Sequence, residues 1–139
     1  MSAASNYLEY KVLDHVLGNT SFSQPAGLFL ALFTNTSGNA ATNLEAGTLT
    51  DEVSTSGTAY ARKAVTFAAA SSGTAATSAT VTFDAATANF GTITHVAIMD
   101  GDTEGSDNVL FWGAVTTPKT IETGDTFQVT SGNLTVSLA

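Results

Sequence analysis

From Pro25 onward the apolar residues recur with a period of two, and glycine, asparagine, aspartate or serine interrupts them at short intervals. That alternation builds half-buried β-strands, and punctuation this frequent keeps them short. About seven or eight such segments can be counted, with a turn signal roughly every 8–15 residues. The rhythm predicts a mainly β protein, an antiparallel β-sandwich or jelly roll. Strand–helix alternation is missing, which argues against a Rossmann-like parallel sheet.

Each segment carries its own signal. Residues 28–34 are almost continuously apolar and read as a strand buried on both faces. Residues 60–67, 80–83, 93–99, 108–115 and 133–138 read as further strands. Residues 119–122 and 126–129 read as a short pair around a Gly124-Asp125 connection. Residues 68–77 read as a turn region rich in small side chains. Residues 35–57 are polar and glycine-bearing, and are expected to form a long loop with little regular structure.

One segment departs from the period of two. Leu8, Val12, Leu13, Val16 and Leu17 fall at helical spacing, so residues 6–17 predict a single short amphipathic helix. Asn6 is positioned to cap it, Glu9 to complete a capping box, and Gly18-Asn19 to end it. About three turns of helix are marginal alone, so the apolar stripe must dock on a sheet or on a neighbouring subunit. This divides the chain into an N-terminal helical anchor, residues 1–19, and a β-domain, residues 20–139. Tyr7, Leu8, Val12, Leu13 and Val16 are the candidate interface residues.

Charge narrows the partners. Four Lys and Arg against twelve Asp and Glu give a formal net charge of −8. Nucleic acid and anionic membranes require clustered cations and are excluded as partners; the one adjacent basic pair is Arg62-Lys63. There is no cysteine, hence no disulfide or thiolate chemistry. No apolar run reaches the ~20 residues of a membrane span. The first residues lack a basic stretch followed by an apolar one, so no signal peptide is expected. The Asn-x-Ser/Thr sequons at Asn19, Asn35 and Asn133 accordingly carry little weight.

Candidate chemistry is sparse. Asp100, Asp102, Glu104 and Asp107 form an acidic run that opens like an EF-hand loop, but Phe111 stands where the bidentate Glu is required. The run reads as a solvated hairpin tip, with a β-turn Ca²⁺ site on those four carboxylates as the alternative. His15 and His95 have no readable carboxylate partners for a zinc site. Asp51-Glu52 lie in the polar loop without a cleft to make them a glycosidase pair, and no nucleophile elbow is present. No enzyme activity and no cofactor are expected. Trp112 lies in an apolar run and reads as core, with a sugar-stacking platform as the alternative.

The ordered set of segments resembles a family of small virion proteins of tailed bacteriophages, often labelled tail-fibre-like. The resemblance rests on the N-terminal helix from Tyr7 to Gly18, residues 28–34, 60–67, 93–100 and 110–119, and Gly124-Asp125-Thr126-Phe127. It covers nearly the whole chain and implies a virion structural protein, made in the host cytoplasm. Taken with the composition, it leads to the expectation of a capsid decoration or cement subunit, a homotrimer held against the major capsid protein or other virion proteins. A tail-fibre or baseplate module, or a host-glycan-binding domain, is the alternative.

Overall fold

The computed structural model describes residues 3–138. In chain order the elements are β1 (Ala3–Ala4), α1 (Asn6–Val16), β2 (Phe29–Phe33), α2 (Ala40–Ala46), β3 (Lys63–Ala64), β4 (Thr74–Ala76), β5 (Val81–Thr82), β6 (Gly91–Met99), β7 (Val109–Ile121), β8 (Gln128–Val129) and β9 (Thr135–Ser137). Five strands make the main sheet, in the order β1-β7-β6-β2-β3. Two two-stranded pairs, β4-β9 and β5-β8, complete the β structure among the described residues. Every pairing is antiparallel. The mainly β, antiparallel character is as read from the sequence. The expected sandwich of seven or eight strands resolves into this one sheet with two small satellites, and a second helix joins the first.

The register explains why β2 is apolar almost without interruption. Leu30 and Leu32 stand opposite Ile98 and Val96, and Ala31 opposite Ala97. Successive side chains point to opposite faces, and both faces are covered. On one side Leu30, Leu32, Val96, Ile98 and Leu110 pack with Tyr60, Phe83, Phe90 and Phe127. Tyr60 stacks on Phe83 at 6.0 Å, and Phe127 meets the same ring edge-on at 5.9 Å. On the other side Ala31, Phe33, Ala97, Met99 and Val109 pack under Leu44 of α2, with Leu49 and Trp112 around them.

That second layer corrects the expected loop. Residues 35–57 are not structureless: they carry α2, and Ala40, Leu44, Asp51 and Val53 within them are buried. Gly47 ends the helix in the left-handed conformation, φ 79°, where glycine is favoured. A helix of seven residues with one large apolar side chain, Leu44, has no stripe for periodicity to detect.

Other boundaries shift as well. The strand expected over residues 60–67 keeps regular pairing at Lys63–Ala64 alone. The turn region 68–77 contains β4. The strand expected over 108–115 runs on through β7 to Ile121, absorbing the start of the expected Gly124-Asp125 pair. α1 is capped by Ser5 rather than by Asn6, its hydroxyl accepting from the Leu8 N–H at 3.3 Å. The Ser5 N–H also donates to the Leu110 carbonyl, and its hydroxyl to that of Val109. These bonds fix the start of the helix to β7.

Candidate interaction surface

α1 has two apolar faces. Leu8 is buried in the main core, with Ala4, Tyr7 and Val12 packed partly against it. The remaining large apolar side chains point away: Tyr10 is 64% exposed, Leu13 55%, Val16 72% and Leu17 77%. Tyr10, Leu13 and Leu17 are three and seven residues apart, so they line one side of the helix. A helix that is apolar on both sides is built to be covered on both. Of the expected interface residues, Leu13 and Val16 therefore lie outward, Leu8 is committed to the protein's own core, and Tyr7 and Val12 are half-buried. The single stripe read from the sequence spans too wide an arc for one contact.

Leu138, 61% exposed, is the fifth large hydrophobic side chain exposed among the described residues. It lies beside α1, sharing with Leu8, Val12 and Leu13 the lining of a shallow groove of about 400 Å³. Leu138 also lines a second groove of about 340 Å³, with Leu28, Phe67, Ile98, Phe111 and Val136. No ionisable side chain lines that second groove. Its N–H donates to the Gly73 carbonyl at 3.0 Å, holding the chain end against the β4 side. Leu138 thus meets α1 on its Leu13 side, and Tyr10, Val16 and Leu17 extend the exposed apolar surface along the helix. Such gathering marks interaction sites.

The charged motifs converge elsewhere. Arg62 is sealed from solvent and uses all five of its N–H donors. Nε and Nη2 grip the Glu52 carboxylate in parallel, at 2.7 and 2.8 Å. Nη1 donates to the Gly101 carbonyl at 2.9 Å and to Asp107 at 3.2 Å, and Nη2 donates to the Ser106 carbonyl at 2.9 Å. Glu52 also accepts from the Tyr60 hydroxyl and the Gly105 N–H. Burial alone would lower the Arg62 pKa, but the hydrogen bonds and charge of Glu52 outweigh it and hold it above the ordinary value. Burial, reinforced by the Glu52 charge, pushes the Tyr60 phenol well up. One residue from each of three motifs that are separate in the sequence, Arg62 of the basic pair, Glu52 of the Asp51-Glu52 pair and Asp107 of the acidic run, forms a brace between residues 35–57 and the β6–β7 connection.

Three carboxylates of the acidic run are held by hydrogen bonds. Asp107 accepts from Arg62 and from the Thr103 N–H, Asp100 from the N–H and side-chain amide of Asn108, and Glu104 from Thr55. A Cβ on Gly101 would fall 2.3 Å from the Asp107 carboxylate, which passes directly over it. Among the described residues no three His, Asp or Glu side chains, including Asp100, Asp102, Glu104 and Asp107, converge to hold a metal ion.

Asp51 organises the preceding turn. It accepts from the Ser37 N–H at 3.0 Å, from the Ser37 hydroxyl and from Thr36. Burial raises its pKa, but the Ser37 and Thr36 bonds overcome that and leave it lowered. His95 is lowered by burial, against the opposing pull of the Asp51 charge. His15 accepts from the Phe22 N–H at 3.0 Å and pins the chain leaving α1. Trp112 is half-buried, and its indole N–H donates to Glu45 at 2.8 Å.

No curated protein sequence matches the chain. A family model described as Podophage GP4 fiber I protein gp80 matches residues 3–137. The match favours a fibre over the capsid decoration expected from composition and resemblance. The chain belongs to the podophage GP4 fiber I protein gp80 family, and is a fibre-type structural component of a phage virion.

Proposed function

We propose that the protein is a fibre subunit that holds its place by burying the outer face of α1, together with Leu138, against another virion protein. The observation that carries this reading is that four of the five exposed large hydrophobic side chains of the described residues lie on α1 and its C-terminal end, while the fifth, Leu138, shares a groove with Leu13. A symmetric homotrimer is the assembly we expect around it, since soluble oligomers close by symmetry. The residues 1–19 anchor acts through Leu13, Val16 and Leu17, while Leu8 ties it to the β-domain. Host-glycan binding through Trp112 gains no comparable support, because that side chain is half-buried and its N–H is engaged by Glu45.

Point substitutions test this better than removal of the helix, which would also strip Leu8 from the core. Phage particles assembled with a Leu13→Asp/Leu17→Asp variant should contain little of the subunit on immunoblots of purified virions. Circular dichroism melts should match the unsubstituted protein. Normal incorporation of a well-folded variant defeats the proposal.

A further inference from the structure

On the reading that the α1 face is a docking surface, we propose that its occupant is a second copy of this chain, whose ridge of Tyr10, Leu13, Val16 and Leu17 seats in the apolar groove beside Leu138. The chain carries both halves of such a contact. The ridge is convex, apolar and uncovered. The groove, about 340 Å³, is concave, apolar and open. Each is a surface that water disfavours and a partner should cover. A second copy covers both kinds of feature, whereas an unrelated partner matched to one leaves the other exposed.

Charge selects the same surface. Each copy carries −8, so two copies repel unless they meet where carboxylates are absent. Groove-lining residues are without exception non-ionisable. Along α1 the acidic residues are Asp14 and Glu9, the latter lining the helix-side groove beside Leu138, so the contact centres on the apolar groove and keeps these carboxylates at its rim. Within the acidic run, Asp107 is bound to Arg62 and to the Thr103 N–H, and Asp100 to the Asn108 N–H, and none of its carboxylates lines the groove. Leu138 borders both the helix-side groove and the apolar one. Ridge and groove are therefore two different patches of one chain, so the ridge of each copy can enter the groove of the next and three copies can close the ring.

The test is sedimentation of the full chain over a concentration series, with melts as the folding control. The ridge is disabled by Leu13→Asp/Leu17→Asp. The groove is filled by Ala70→Trp, at an exposed position in its lining. Unsubstituted protein should self-associate, and more tightly as salt screens the repulsion between copies. Each variant alone should associate at least roughly tenfold more weakly, as expected when an interface anchor is lost. An equimolar mixture should recover a complex, because the intact ridge of one variant meets the intact groove of the other. A mixture that recovers nothing overturns ridge-into-groove pairing. Unsubstituted protein that stays monomeric, yet needs Leu13 and Leu17 for incorporation into virions, overturns the second copy as occupant and leaves the docking surface standing. Monomeric protein that also incorporates without them overturns both.

Discussion

Replacing Arg62 with methionine should be among the most damaging single changes this protein can take. The guanidinium is sealed from solvent, and its partner Glu52 has a side chain only 1% exposed. Methionine fills most of the same space but supplies none of the five N–H donors. It leaves the Glu52 carboxylate buried with only the Tyr60 hydroxyl and the Gly105 N–H, and the Gly101 and Ser106 carbonyls without their partner. Removing one member of a buried ion pair costs about 3–5 kcal/mol, because the other charge is stranded. For a chain of this length that corresponds to a fall in Tm of roughly 10–20 °C. Urea titration followed by circular dichroism reads the loss directly, as a lower midpoint at unchanged slope. The double variant Glu52→Gln/Arg62→Met removes the stranded charge and should recover a substantial part of the loss. A single variant within about 1 kcal/mol of the unsubstituted protein, or a double variant no better than the single, would refute the claim that the pair is a sealed brace.

Two further outcomes follow from the packing and the titrating groups. Leu8→Ala should cost about 2–5 kcal/mol, since it opens the main core, whereas Leu17→Ala should change the melting of dilute monomer by no more than about 0.5 kcal/mol; similar losses for both would contradict the two-faced helix. The folded-state pKa values of His95 and Asp51 are both lowered, so the unfolded chain binds the extra protons and stability rises with pH through each window. The His95 contribution should be complete above its ordinary value of 6.5 and fade as pH falls below it. That of Asp51 should be complete above 3.8 and fade below it. A Tm series against pH should show both declines, and Asp51→Asn should erase the lower one and deepen the upper, because the charge that opposes the lowering of the His95 pKa is gone.

Elements with strong, uninterrupted hydrophobic patterns were legible in the sequence. β2, β6 and the first half of β7 follow from runs whose large apolar side chains are buried or half-buried, and α1 follows from helical spacing with Gly18 at its end. α2 was not legible, because one leucine among alanines gives no periodic signal, and the asparagines and glycines around it match a loop. The strand over residues 60–67 was read as longer than it is, because Tyr60, Arg62 and Val65 are buried by packing and ion pairing more than by sheet hydrogen bonds. The brace itself depends on contacts between residues 8 to 53 positions apart, which no local pattern encodes. One signal was available: Arg62 lies two residues from Tyr60, and alternation places the two side chains on the same face. An arginine on the face of a buried tyrosine demands a carboxylate, and Asp51-Glu52 and the acidic run were the candidates. The proposed docking surface was half legible. The sequence marked Leu13 and Val16, but which side of α1 turns inward depends on where Ser5 attaches to β7, and the contribution of Leu138 depends on the two chain ends meeting.

A guanidinium closed off from water is also closed off from dissolved ions. Screening at high ionic strength should loosen an exposed contact such as Lys63 with Asp84, at 3.0 Å, while leaving the Arg62 cluster nearly untouched. The shape of the two segments it clasps is therefore decoupled from the saltiness of the medium, a useful property for a part carried on the outside of a particle that passes from one environment to another.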